Sequence, residues 1–158
     1  MSELRYLKLS EVDPGELRHL LNKQRIRKHL FVHALFDDAS IARWIDDKIE
    51  VDGAKGCRVR AILRDGRLVG WCGIQEASSA HEVAIVIDDG CWGLGRRIFR
   101  DLMDWAKELG HDEIDIHLYR TRPEYRFLKK ISKTVFPNRM LGEQFTTYRV
   151  VVDDQRLR

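Results

Sequence analysis

The chain has 158 residues, 44% of them hydrophobic and 34% charged, and 28 Lys and Arg against 25 Asp and Glu leave a net charge of +3. That length is about one domain's worth, and the composition belongs to a folded globular chain rather than to a disordered or collagen-like one. The longest aliphatic run, Val83-Ala84-Ile85-Val86-Ile87, is far short of the ~20 apolar residues a spanning helix needs, which argues against a membrane protein. The small positive excess is too weak to point to nucleic acid by itself.

The N-terminus, Met1-Ser2-Glu3-Leu4-Arg5, carries charge at once and has no apolar block, so no secretory leader is expected and a cytoplasmic location is. Cys57, Cys72 and Cys91 are odd in number, far apart and without zinc-ligand spacing. They read as free thiols, and no metal site is expected.

No repeat or linker divides residues 1–158, so one domain is expected. Leu4 to Leu9 is a short strand candidate. Asp13-Pro14 gives an N-cap with proline at the first helical position, and Leu17, Leu20 and Leu21 form the apolar stripe of that helix. A second helix follows Asp37-Asp38, with Ile41, Trp44, Ile45 and Ile49 on one face and Arg43, Asp46, Asp47 and Lys48 pointing away. A hairpin comes next. Residues 57–63 alternate, Asp65-Gly66 supplies the positive-φ turn, and Leu68 to Ile74 returns.

Glu82 to Ile87 is a third strand of this region. Gly93-Leu94-Gly95 opens the strongest helix, whose Ile98, Phe99, Leu102, Met103, Ala106 and Leu109 recur at helical spacing before the Gly110 stop. Glu113 to Leu118 alternates as a strand. Pro123 starts a helix through about Lys133, and Phe145 to Val152 closes the chain as a strand. The order β-α-α-β-β-β-α-β-α-β predicts an α/β sandwich around one sheet.

The stretch from Glu82 to Arg97 carries the chemistry. An apolar strand runs through a short acidic turn into Trp92-Gly93-Leu94-Gly95 at a helix start. The first turn of a helix has unpaired N–H groups and the positive end of the macrodipole, and glycines let an anion approach closely. Arg96 and Arg97 add full positive charges. The combination suits phosphate groups, although a lone G-x-G is also compatible with glycines that merely allow a helix to pack close to a sheet. It is neither a Walker A loop nor a dinucleotide fingerprint, since the third glycine would fall at Ile98.

With the element order added, the chain resembles the GNAT acetyltransferase superfamily from Leu4 to Val152. The Glu82-Val83-Ala84 and Trp92-Gly93-Leu94-Gly95 pattern is similar to the branch that includes ribosomal-protein N-terminal acetyltransferases. The hairpin Arg64 to Ile74 is similar to the strands that precede this motif in the family. The resemblance implies an α/β fold of the α+β mixed type: one central six- to seven-stranded, mostly antiparallel sheet flanked by about four helices. It implies acetyl-CoA as acyl-donor cosubstrate, a primary amine (protein N-terminus, lysine or small molecule) as acceptor, direct attack in a ternary complex, no metal, and homodimers as the frequent state of relatives.

Carried over residue by residue, Gly93 and Gly95 fill the small positions of the phosphate turn, while Gly90 stands where the family often has Arg or Gln. Trp92, Gly93, Leu94, Gly95, Arg96 and Arg97 would then hold the diphosphate, and Ile85, Val86 and Ile87 would pair with the pantetheine arm. Glu82 matches the general-base position, and a backbone N–H near Ile85 or Val86 would face the oxyanion. The usual tyrosine acid has no direct counterpart: Lys129 occupies its register, no Gly-Phe follows, and Tyr125 one turn earlier is the substitute. That departure leaves a second expectation, a degenerate acyl-CoA-binding or regulatory module.

The basic run Lys23 to Lys28 is a solvated face or, on a third expectation, an RNA contact. His29, Phe31, His33 and Phe36 are candidates to line the amine site, His81 and His117 are candidate relay residues, and Cys91 is a candidate low-pKa thiol.

Overall fold

The computed structural model describes residues 3–28, 34–77, 80–88, 93–121 and 125–153. Among these, β1 (Leu4–Leu7) leads through a 3-10 turn at Leu9–Glu11 to α1 (Pro14–Leu21), α2 (Gln24–Arg27) and α3 (Asp38–Asp52). Then come β2 (Arg58–Arg64), β3 (Arg67–Glu76), β4 (His81–Ile87), α4 (Leu94–Glu108), β5 (Glu113–Tyr119), α5 (Arg126–Ile131), β6 (Ser132–Met140) and β7 (Glu143–Val151). The seven strands form one sheet in the order β1-β2-β3-β4-β5-β7-β6. Every neighbouring pair is antiparallel except β4 with β5.

Local chemistry accounts for several element ends. The Asp13 carboxylate accepts from the Glu16 N–H at the start of α1, and the Asp37 carboxylate accepts from the Ser40 N–H at the start of α3. Asp65 and Gly66 have φ of 51° and 81°, the pair of positive values that a tight two-residue hairpin turn needs between twisted strands.

The helices divide between the two faces of the sheet. Leu17, Leu20 and Leu21 of α1, Ile26 of α2 and Ile41 and Ile45 of α3 pack on Val59, Ala61, Trp71 and Val86. On the opposite face, Leu94, Ile98, Phe99, Leu102, Met103 and Ala106 of α4, with Leu128 and Ile131 of α5, pack on Cys72, Ile74, Val83, Ile114, Ile116, Tyr148 and Val150. Each large aliphatic side chain so buried is worth about 1.5–3 kcal/mol. The α4 stripe is the anchor that fixes the crossover from β4 to β5.

Four expectations change. The basic stretch after α1 contains a helical turn, α2, so five helices flank the sheet. The helix placed from Pro123 to Lys133 is shorter: α5 ends at Ile131, Ser132 already belongs to β6, and Pro123 lies outside the described residues. The strand β6 has no forecast; Pro137 breaks its pattern but is tolerated there because β6 is an edge that pairs with β7 alone. In α3, Ile49 is 42% exposed, whereas Lys48 turns inward over Trp44 and Trp71.

The β3–β4 contact leaves no room at Gly70, where an added Cβ would stand 2.0 Å from the Val86 carbonyl oxygen and 2.9 Å from Ile87 Cα. Gly70→Ala is expected to lower unfolding free energy in denaturant titration by about 1–3 kcal/mol. Gly95→Ala, where an added Cβ meets nothing within 4 Å, is expected to stay within about 0.5 kcal/mol of the parent.

Candidate active site

The single parallel ladder is short. It pairs Glu82 with Asp115 and Val83 with Ile116 and then stops, although β4 continues to Ile87 and β5 to Tyr119. The other edge of β4 is paired to β3 along its whole length, from His81 opposite Glu76 to Ile87 opposite Gly70. Ile85, Val86 and Ile87 therefore present a backbone edge with no ladder partner on β5, which leaves a gap in the pairing toward the C-terminal ends of both strands. Val86 turns its side chain to the α1–α3 face, while Ile85 and Ile87 pack toward α4.

At the mouth of this gap lies the N-terminus of α4. Gly93 is its N-cap with φ 93°, a conformation that favours glycine, and no described side chain caps the helix. Among the described residues, added Cβ atoms at Gly93 and Gly95 would meet nothing within 4 Å, so close packing of helix on sheet is not what these glycines provide. Leu94 is buried and anchors the first turn, whereas Arg96 and Arg97 are exposed, and the Arg96 guanidinium sits 4.6 Å from the Phe127 ring centre. Cations in a first turn oppose the helix dipole, and the first turn of α4 holds no acid. That charge pattern suits an anion. Trp92, Gly90 and Cys91 lie outside the described residues.

Two ties bracket the gap. Asp88, directly after β4, accepts from Lys23 Nζ at 2.7 Å and Arg25 Nη2 at 2.9 Å, with Arg25 Nε 2.6 Å from its other oxygen. Thr121, after β5, donates its hydroxyl to the Lys28 carbonyl at 2.9 Å. The segment around α2 thus reaches from the end of one strand to the end of the other, and Lys23 and Arg25 are engaged by protein rather than simply solvated.

Glu82 turns to the α3 side. Its Oε1 lies 3.5 Å from Gln75 Nε2, and its Oε2 lies 3.4 Å from His117 Nε2. Burial raises the Glu82 carboxyl above its ordinary value, the Lys48 ammonium pulls it down, and the Asp115 carboxylate pushes it up again. Burial lowers the His117 imidazole, so its contact with Glu82 is that of a neutral ring and a carboxyl rather than an ion pair. His117 Nδ1 is 2.7 Å from the hydroxyl of the fully buried Thr147. Asp115, only 2% exposed, is neutralised by a two-pronged contact from Arg149 at 2.8 and 2.9 Å.

The other candidates are distributed as follows. His81 faces the opposite side of the sheet from Glu82 and stacks on His111 with ring centres 4.3 Å apart, which removes it as a relay to Glu82. Tyr125 is the N-cap of α5 and packs against the α4-side cluster, so it and Glu82 belong to opposite faces. Lys129 is exposed on α5. Phe36 packs in the α1–α3 cluster, and its backbone is held by both ends of the Asn22 amide at 2.9 Å. His29, Phe31 and His33 lie outside the described residues.

Lys48 and Gln75 are neighbours of Glu82 that the amino-acid pattern did not single out. The signal was present in part: Lys48 follows Trp44 by four residues and so shares its face of the helix. Among the described residues no group of three His, Cys, Asp or Glu is placed to hold a metal ion, and no helix is long and apolar enough to cross a membrane.

The sequence profile of the acetyltransferase (GNAT) family matches residues 16–130, and the chain belongs to that family. Solved structures share the fold. One from Acinetobacter baylyi ADP1, described as an acetyltransferase, superposes with a TM-score of 0.72 at 15% identity over 97% of this chain and 94% of its own. An N-acetyltransferase from Staphylococcus aureus Mu50 gives 0.71 at 12% identity, covering 97% and 99%. A Salmonella typhimurium protein solved with its cofactor acetyl-CoA gives 0.67 at 13% identity, covering 98% and 96%. No curated protein sequence matches the chain.

The Asp88 tie is open to a direct test. Burial works to raise this 13%-exposed carboxyl, but the hydrogen bonds from Arg25 and Lys23 prevail and hold it down at about 2. A depressed native value gives stability that is present above the ordinary carboxylate value and is lost as pH falls toward about 2. Asp88→Asn is expected to unfold about 2 kcal/mol more easily at neutral pH, with less loss on acidification, in urea titrations across that range.

Proposed function

We propose that this GNAT chain is a single acetyltransferase domain over residues 1–158 that moves an acetyl group from acetyl-CoA to a primary amine by direct attack in a ternary complex. The observation that carries the reading is the uncapped, glycine-lined start of α4 beside the unpaired edge of β4. The residues fit a CoA thioester: peptide N–H groups from Gly93 to Arg97 for the diphosphate and Ile85 to Ile87 for the amide-rich arm, with Trp92 added on the sequence alone. When bound, acetyl-CoA supplies the activated acyl group.

The roles of the chain's own residues follow from their surroundings. Glu82, with its carboxyl pushed up by burial, takes the amine proton directly or through an ordered water, since a raised carboxyl is a better base for an ammonium. A peptide N–H at Ile85 or Val86 faces the oxygen on which negative charge develops. Tyr125 returns a proton to the leaving thiolate; Lys129, or departure with no acid, are the alternatives. The acceptor is a protein N-terminus, a lysine or a small amine. The Glu82-Val83-Ala84 and Trp92-Gly93-Leu94-Gly95 pattern supports the ribosomal-protein N-terminal acetyltransferase branch, in the cytoplasm and as a homodimer.

The position of Tyr125, on the other face of the sheet from Glu82, favours one second reading: a chain that binds acyl-CoA without turning it over. Calorimetry with CoA and free-thiol detection across a panel of amines separate the two. Gly95→Trp is expected to weaken CoA binding strongly by filling the cradle. Glu82→Gln is expected to bind CoA normally and to release thiol about 10²–10⁴ times more slowly. Parent-like behaviour of both variants would overturn the assignment, and normal affinity of the parent with no thiol release would select the binding module.

A further inference from the structure

We infer that Lys48, acting through Gln75, is the positioning residue that holds Glu82 as an oriented, hydrogen-bond-accepting carboxylate. The inference rests on the reading of Glu82 as the base and names what prepares it.

The geometry is directional. The Lys48 ammonium is a donor only, and it donates to Gln75 Oε1 while sitting 4.8 Å from the Trp71 ring centre and 5.6 Å from that of Trp44. Burial lowers the Lys48 ammonium below its ordinary value, while the Glu82 and Asp47 carboxylates and the two aromatic faces support its charge. Because the amide oxygen of Gln75 must face Lys48, its Nε2 is directed to Glu82 Oε1 at 3.5 Å.

The other side of Glu82 is fixed in the same way. Asn138 Nδ2 donates to Thr147 Oγ1 at 3.3 Å, and the same fully buried hydroxyl lies 2.7 Å from His117 Nδ1. The other ring nitrogen, Nε2, lies 3.4 Å from Glu82 Oε2, and an ionised carboxyl there favours the tautomer that carries its proton on Nε2. One carboxyl oxygen thus accepts from Gln75 and the other has the His117 ring nitrogen beside it, an arrangement that suits the ionised form.

The charges facing Glu82 can be followed element by element. From α3 comes Lys48, with Asp47 acting on it; from β3 comes the neutral Gln75. From β5 come Asp115 and the neutral His117, and from β7 comes Arg149, whose charge is spent on Asp115. Lys48 is therefore the cation that counters the burial of Glu82 and its like-charged neighbour Asp115.

The test is a titration of the Glu82 side chain by carbon-13 carboxyl NMR, its signal assigned from Glu82→Gln, in the full-length chain without substrate. Lys48→Met is expected to move the Glu82 midpoint upward by about one pH unit, and Lys48→Arg to restore it. Gln75→Leu, which keeps the cation and breaks the bridge, is expected to move the midpoint the same way by less, and it carries the test if Lys48→Met does not fold. A midpoint that stays put in Lys48→Met or in Gln75→Leu would overturn the inference: the first removes the cation, the second only the bridge, and lost packing on Trp44 and Trp71 alone lowers thermal stability without touching that titration. Parent-like thiol release by Glu82→Gln would overturn the base reading and the inference with it, and the titration cannot mimic that result.

Discussion

A parallel ladder of only two residue pairs is the constraint on which the arrangement depends. Because α4 carries the chain across the sheet, β4 and β5 must run in the same direction, and the pairing Glu82–Asp115 and Val83–Ile116 is all that joins them. Had the ladder continued, the backbone of Ile85 to Ile87 would be consumed by β5, and an extended amide-bearing ligand would have no edge to join. The gap in the pairing lies at the end of β4 from which the chain goes on to α4. The tight β3–β4 contact at Gly70 and the unbroken pairing along it support β4 from its other edge. Burial of Ile98, Phe99, Leu102 and Met103 holds the helix against that support.

The two faces of the sheet divide the work. The α4 and α5 side is apolar and supplies cohesion. The other side is apolar only under α1 to α3 and becomes polar from Glu82 outward to Asp115, His117, Thr147 and Arg149. Buried polar groups are costly unless matched, and here they are matched: Asp115 by Arg149, Thr147 by His117 and Asn138, Glu82 by Gln75 and His117. Such a network keeps a titratable carboxyl beside a cleft without leaving an orphaned charge. The raised Glu82 and the lowered His117 both follow from burial.

Much of this architecture was legible residue by residue. Asp13-Pro14, Asp37, Asp65-Gly66 and the long stripe of α4 are local signals, and each corresponds to a cap, a turn or a buried face. What escaped depends on partners far away in the chain. The strand β6 contains Pro137 and is followed by the Leu141-Gly142 turn, with the 83%-exposed Leu141 at φ 51°, so neither alternation nor turn chemistry announces it; pairing with β7 makes it a strand. Lys48 was assigned to the solvent side by its charge, yet its aliphatic stem and aromatic neighbours draw it inward. Glu82 and the turn after it stood out in the sequence. The company Glu82 keeps did not, because Gln75, Asp115 and His117 meet it only through sheet register.

The weak seam between β4 and β5 also divides the sheet along the chain. Strands β1 to β4 all come from residues before 88 and are zipped antiparallel, each to its neighbour in sequence order, whereas β5, β7 and β6 all come from residues after 112. During synthesis the first four strands can complete their pairing before the last three emerge, and only the two-pair seam must wait for α4 to bring the later half alongside. The hairpins β2–β3, β3–β4 and β6–β7 join strands adjacent in sequence and so can pair early, whereas β1–β2, β5–β7 and the seam must each bring together strands with other elements between them. Of these later pairings the seam is the shortest, and it is the one that leaves part of its strand edge without a ladder partner in the finished molecule.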